Sequence, residues 1–350
     1  MKNIFGMTLE ELQEELGSFR LPKYRTRQIM EWMYKKYAKD FSGMTNLPET
    51  LRKSLATKYM IVTPVLQDRL DASDGRTSKF LLLFPDGVAV ESVLMRQPYG
   101  NSVCISTQAG CNMGCSFCAS TLHGLTRNLT AGEMLGEILF IEELLEMEDK
   151  KIDTMVLMGS GEPLMNYDHV VHFLRLLHEE YVLNLGYRNI TLSTSGIVPA
   201  IDRLAEEGMP VTLSISLHAP REDLRSMLMP INQKYPMSDV VAAGCRYAKK
   251  TGRRVTYEYI LIRDVNDGER EAEELAALLL GQIANVNLIP INAVPERGFH
   301  RPEEERVEAF VQALSRRRIT ATVRRERGSD IQAACGQLRN RHLSNDTILR

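Results

Sequence analysis

No stretch of this 350-residue chain approaches the roughly 20 apolar residues that a membrane-spanning helix needs. The opening Met1-Lys2-Asn3-Ile4-Phe5-Gly6 likewise lacks the apolar core of a secretory signal. A cytoplasmic protein is expected. No internal repeat and no low-complexity tract is present, so neither a solenoid nor a linker-dominated chain is indicated. Net charge is small, −2 from 43 basic and 45 acidic residues. Because that charge is unevenly spread, the balance argues neither for nor against nucleic acid. Cysteine is scarce at six residues, and three of the six are crowded together. That usage fits a reducing compartment with a metal or redox role better than a disulfide framework. The apolar share of 44% and charged share of 25% are those of an ordinary globular protein. The length suits one large domain with an appendage, or two domains.

What is present is concentrated in one loop. Cys111-Asn112-Met113-Gly114-Cys115-Ser116-Phe117-Cys118 spaces three cysteines as C-x-x-x-C-x-x-C. Thiolates are soft ligands that suit iron–sulfur clusters and zinc. This spacing lets one loop wrap three corners of a cubane cluster, and the missing fourth thiolate leaves one iron open. Gly110 and Gly114 let the backbone pass close to the metal, and Phe117 can shield it from water. The competing reading is an RNA-binding protein without catalysis, holding a structural zinc on Cys104, Cys111, Cys115 and Cys118. Zinc ligands usually come as two separated pairs, which this run does not supply.

Residues 1–60 read as a small helical unit. Thr8-Leu9-Glu10-Glu11 is a capping box, Ile29, Trp32, Met33 and Lys36 share a helical face, and Leu47-Pro48 opens another helix. A basic helical module with aromatics is a candidate RNA grip. Residues 61–101 form a β-rich connection with turns at Asp74-Gly75 and Pro85-Asp86-Gly87. In its strand Val88–Met95, Glu91 is a carboxylate among apolar neighbours, which is costly unless paired or used. From residue 102 to 315 strands and helices alternate. Strands are predicted at Val103–Thr107, Thr154–Met158, Ile190–Ser193, Val211–Ser216, Val255–Ile262 and Val286–Pro290. Thr130-Ala131-Gly132-Glu133 caps a helix between the first two. Six βα units predict an α/β fold, a partial (β/α)6 barrel, with a C-terminal segment at 316–350.

Ligands of such folds bind at the C-terminal ends of the strands. Four motifs fall there: Met158-Gly159-Ser160-Gly161-Glu162-Pro163-Leu164, Thr191–Gly196 with Ser193, Ser214-Ile215-Ser216-Leu217-His218, and Asn287–Asn292. Glu162 could hold an ammonium group. Singly, each motif is ordinary strand-end chemistry; together they are better explained by one shared ligand. After the last unit the chain turns basic, with Arg316-Arg317-Arg318 and Arg324-Arg325, and then runs Ala334-Cys335-Gly336-Gln337-Leu338. Cys335 is either a small buried hydrophobe or an accessible thiol beside positive charge. Cys245 sits in a helical pattern and is assigned to packing.

The three-cysteine run with Phe117 before its last member resembles the radical S-adenosylmethionine (SAM) superfamily signature. Cys104-Ile-Ser-Thr-Gln-Ala-Gly-Cys111, Cys118-Ala-Ser-Thr and Ala-Cys335-Gly-Gln-Leu resemble the bacterial RNA adenine carbon-2 methyltransferases (the RlmN family) and their carbon-8 relatives (the Cfr family). Gly161-Glu162-Pro163-Leu164 looks more like the carbon-2 group. The resemblance implies a radical SAM barrel and a [4Fe-4S] cluster on Cys111, Cys115 and Cys118. It implies SAM contacts from Gly161, Glu162, Ser193, Ser216, Leu217, His218 and Asn292, and two SAM molecules per turnover. One SAM would methylate Cys335. The other would give a 5′-deoxyadenosyl radical that takes a hydrogen from that methyl. The resulting methylene would add to adenine, Glu91 would remove the ring proton, and Cys104 would attack Cys335 to release the product as a disulfide. The implied partners are 23S ribosomal RNA, transfer RNA and an electron donor such as a flavodoxin-type system. No membrane partner is implied, and a monomer is expected.

Overall fold

The computed structural model describes residues 1–292, 294–324 and 338–339. Cys335 and Arg325 lie outside the described residues. The N-terminal unit runs β1 (Lys2–Asn3), α1 (Leu9–Glu15), α2 (Lys23–Tyr34), α3 (Glu49–Lys58) and β2 (Tyr59–Met60). Thr8 and Glu11 form the expected capping box on α1. Ile29, Met30 and Met33 of α2 are buried, and Trp32 is half-buried with the Lys36 ammonium 4.4 Å above its ring.

Three antiparallel strands follow: β3 (Val65–Asp71), β4 (Thr77–Leu83) and β5 (Ala89–Gln97). They do not form a separate layer. β5 pairs antiparallel with β6 (Gly100–Cys104), which starts the parallel part of the same ten-stranded sheet. β7 (Gln108–Gly110) and β8 (Leu125–Asn128) then pair across the cysteine loop. The regular units are α4 (Ala131–Glu146), β9 (Ile152–Leu157), α5 (Tyr167–His178), β10 (Ile190–Thr194), α6 (Val198–Glu206), β11 (Thr212–Ser216), α7 (Glu222–Leu228), α8 (Met237–Thr251), β12 (Val255–Leu261), α9 (Glu269–Leu278), β13 (Ala284–Pro290), α10 (Glu304–Arg316) and β14 (Ala321–Val323).

β6 and β9 to β13 are the six parallel strands expected, in sequential order. β14 adds a seventh, parallel to β13, so the C-terminal segment begins inside the sheet. The first strand is shorter than expected: it ends at Cys104, and residues 105–107 lead into the β7 hairpin instead. Thr130 and Glu133 complete a capping box on α4, whose Met134, Ile138, Ile141 and Leu145 are buried as predicted.

One apolar core runs through the N-terminal unit and the barrel alike. The seam between them is very close. A Cβ on Gly132 of α4 would stand 2.5 Å from the Phe5 carbonyl oxygen, and one on Gly6 would stand 2.4 Å from the Gly132 Cα. His172 Nε2 meets the Gly6 carbonyl at 2.9 Å. Among the described residues no helix is long and apolar enough to cross a membrane.

Candidate active site at the strand ends

The cysteine loop is pinned by its own backbone. Gly110 has φ +85, and a Cβ there would fall 2.0 Å from the Gly124 carbonyl oxygen, so this turn admits only glycine. Cys111 N–H donates to Gly124 O at 3.1 Å, and Asn112 Oδ1 accepts from Leu125 N–H at 2.9 Å. Thr121 Oγ1 donates to Cys118 O at 2.9 Å. Ser116 N–H reaches the end of α7, donating to Leu228 O at 2.9 Å.

The loop opens onto a cavity of about 220 Å³ at the C-terminal ends of β9 to β12. Cys111, Cys115 and Cys118 line it with Gly161, Glu162, Ser193, Ser216 and His218. Eight of the ten residues expected at the cluster and its cofactor therefore share one space. Leu217 and Asn292 do not line it; Leu217 is fully buried in the main core. Glu162 is buried and held between two loops: Oε1 accepts from Leu164 N–H at 3.0 Å, and Oε2 from Ser195 N–H at 2.6 Å. Burial pushes its carboxyl above the usual range while these bonds pull it back. Gly161, at φ +108, brings the backbone against Gln108, whose Oε1 accepts from Glu162 N–H at 2.8 Å. His218 adopts φ +61 and its Nδ1 accepts from Ile260 N–H at 3.0 Å, which leaves the ring proton on Nε2. Burial, reinforced by Arg225, lowers it to about 3, so the ring is neutral. Phe117 meets it edge-on at 4.9 Å.

The donor set fits an iron–sulfur cluster. Burial raises the Cys111 thiol to about 12 and Cys115 further, so free thiolates are disfavoured and a cationic core would have to draw them out. Among the described residues no three His, Cys, Asp or Glu side chains stand close enough to share one ion. A single zinc needs four ligands within about 2.3 Å of one point; a cubane gives each thiolate its own iron.

Glu91 lies elsewhere. Its carboxylate forms an ion pair with Lys79 at 3.0 Å, both side chains being buried. Val93 stands directly opposite Cys104, and Cβ directions alternate along a strand, so Glu91, Val93 and Cys104 share one face of the sheet. Leu338 packs on Leu81 and Ala89 of that face. Arg339 N–H donates to Glu91 Oε1 at 2.6 Å, and its Nε donates to Ala89 O at 3.0 Å. The chain is thus anchored beside Glu91 three residues after Cys335 in sequence. Cys245 is exposed on α8, not packed as expected, because it falls on the solvent side of that helix.

Glu258, Lys79 and Arg225 escaped the sequence reading, and Arg324 entered it only as part of a basic run. Glu258 on β12 and Arg324 also line the cavity; Glu258 accepts from Ser214 Oγ at 3.1 Å and Asn287 Nδ2 at 2.8 Å. Glu258 is a lone carboxylate in the apolar run Tyr257–Ile262, the same signal that marked Glu91. Lys79 is a lone cation before Phe80-Leu81-Leu82-Leu83, and Arg225 lies between Leu224 and Leu228.

Residues 105–276 match the Radical SAM superfamily, and residues 2–61 match the ribosomal RNA large subunit methyltransferase N-terminal domain. A probable dual-specificity RNA methyltransferase RlmN of Symbiobacterium thermophilum is 54% identical over 96% of this chain and 91% of its own length. One from Clostridium perfringens strain 13 is 48% identical over 99% of both chains. The crystal structure of a radical SAM methyltransferase from Sphaerobacter thermophilus superposes with a TM-score of 0.92 at 49% identity, covering 96% of this chain and 99% of that one.

Proposed function

Because the chain belongs to the radical SAM superfamily and, within it, to the RlmN family of RNA methyltransferases, we propose that it methylates carbon 2 of an adenosine in 23S ribosomal RNA, and of the adenosine 3′ to the anticodon in some transfer RNAs. That carbon is not nucleophilic, so ordinary methyl transfer fails and the cofactor must carry the hard chemistry. A [4Fe-4S] cluster with SAM supplies one-electron chemistry when bound. Cys111, Cys115 and Cys118 would hold the cluster, and Gly161, Glu162, Ser193, Ser216 and His218 would orient SAM, with two SAM molecules consumed per turnover.

The observation that carries this reading is the convergence of three thiols and a buried carboxylate on one cavity at the strand ends. Within the reading, Cys335 carries the methyl group, Glu91 takes the ring proton and Cys104 resolves the adduct. Glu91 and Cys104 share a face, and the chain is anchored on it close to Cys335 in sequence. Lys79 pairs with the Glu91 carboxylate at 3.0 Å and Arg339 N–H donates to it, which fixes the side chain on that face. On α2 the exposed Lys23, Tyr24 and Arg27 would meet RNA phosphates. One copy of the chain holds every residue named, so a monomer suffices, served by a flavodoxin-type one-electron donor.

The test is peptide mass spectrometry on anaerobically purified protein, together with nucleoside analysis of RNA it has modified. A methyl group on Cys335 and 2-methyladenosine in the RNA are expected. An unmodified Cys335 in cluster-loaded, SAM-replete protein would sink the two-cysteine scheme. 8-Methyladenosine would move the target to the other carbon.

A further inference from the structure

Two arginines from separate elements serve the cysteine loop: Arg297 bonds to it directly, and Arg225 lies in the helix that packs on it, its charge acting on Cys115. Arg225 of α7 is fully buried. Its Nη2 donates to Ser195 O at 2.7 Å and to Ser216 O at 3.3 Å, and its Nη1 donates to Asn232 Oδ1 at 2.6 Å. Its helix packs Leu224 and Leu228 against Cys115 in one apolar cluster. Arg297, after β13, donates through Nη2 to Cys118 O at 3.2 Å and to Thr121 Oγ1 at 2.7 Å. Thr121 Oγ1 itself donates to Cys118 O, so the guanidinium and hydroxyl brace one ligand's carbonyl. The Nε of each arginine is buried with no hydrogen-bond partner among the described residues.

A buried guanidinium is costly unless negative charge offsets it. Every hydrogen-bond partner of Arg225 among the described residues is neutral. Glu222, the carboxylate that acts on it, is already engaged by Asn232 Nδ2 at 2.8 Å and by Met237 N–H at 3.1 Å. Glu162 and Glu258 line the same cavity, and burial pushes both carboxyls above the usual range, so the negative charge that Arg225 faces is left to the ligating thiolates. Three ligating thiolates outweigh the positive charge of an oxidised cluster core, and reduction deepens that surplus. Cluster potentials follow net charge, hydrogen bonding and exposure. Fixed cations beside Cys115 and Cys118 therefore favour the reduced state.

We propose that Arg225 and Arg297 are positioning residues that raise the reduction potential of the cluster held by Cys111, Cys115 and Cys118. The proposal rests on the function given above. The step they assist is the entry of one electron from an external low-potential donor. No bond forms or breaks, and both guanidinium groups keep their protons.

The test is a mediator-coupled redox titration, followed by electron paramagnetic resonance, of full-length reconstituted protein. Iron content is measured beside it. Arg297→Gln and Arg225→Gln should retain iron. At the wild-type midpoint each should lower the reduced-to-oxidised ratio about tenfold, equivalent to about 59 mV for a one-electron couple. Arg297→Lys keeps the charge and should stay within about twofold of wild type, which a merely structural role for the planar fork does not predict. If Arg225→Gln fails to fold, Arg297→Gln and Arg297→Lys carry the test. Unchanged midpoints in iron-replete Gln variants overturn the proposal. A wild-type chain that takes up no cluster overturns the function above and this inference with it, and the iron content separates the two failures.

Discussion

Glu137 is fully buried in α4, with Oε2 accepting from Ser92 Oγ at 2.6 Å and Ser106 N–H at 3.1 Å, while Oε1 has no partner among the described residues. Burial pushes this carboxyl from 4.5 up to about 8, against the pull of those two bonds. The folded chain thus keeps a proton that the unfolded chain gives up. Its stabilising effect is complete below pH 4.5, falls as pH rises through that window and is gone above about 8. At about 1.36 kcal/mol per unit, the loss is roughly 4 to 5 kcal/mol. Glu137→Gln stays neutral throughout, and its amide oxygen can keep both bonds. The new NH₂ group falls on the unpartnered side, costing about 1 to 3 kcal/mol at every pH. Denaturant unfolding of the cluster-free chain at about pH 5 and about pH 9 measures the difference, since all other titrations are shared. The variant should be weaker by about 1 to 3 kcal/mol at the lower pH and more stable by about 1 to 4 kcal/mol at the higher. A difference that does not change between the two would refute the assignment of Glu137 as a buried neutral acid.

Gly161→Ala puts a Cβ 2.6 Å from the Gln108 Cβ at φ +108; equilibrium dialysis should show SAM binding weakened at least about tenfold in a folded chain, and unchanged binding would count against this loop as a ligand edge. Lys79→Met strands the Glu91 carboxylate in the sheet and should destabilise the chain by about 3 to 5 kcal/mol in urea unfolding. Adding Glu91→Gln should restore most of that loss, and no restoration would mean the pair is not coupled. Cys104→Ala should accumulate a covalent protein–RNA adduct on denaturing gels, and Cys335→Ala should give none; a fully active Cys104→Ala enzyme would remove Cys104 from the scheme.

The three-cysteine loop was legible in the sequence because its ligands are local: eight consecutive residues carry all three thiols. The capping boxes at Thr8 and Thr130 were legible for the same reason. Partners that depend on strand register were not. Lys79 meets Glu91 because the turn at Pro85-Asp86-Gly87 aligns Leu81 with Glu91, and Lys79 lies one pleat away on the same face. Arg297 and the helix that carries Arg225 reach the cysteine loop from more than a hundred residues away, and composition carries no trace of such a contact. β14 was hidden within a basic tail because three residues are too few for a strand period to show.

The back-to-back approach of Gly6 and Gly132 has a mechanical consequence. A joint with no space for one methyl group cannot slide, and the shared apolar core on both sides of it leaves no compliant layer to flex. Such a joint transmits force without absorbing it. The helical unit and the barrel therefore move as one body, and any load placed on one is carried by the other.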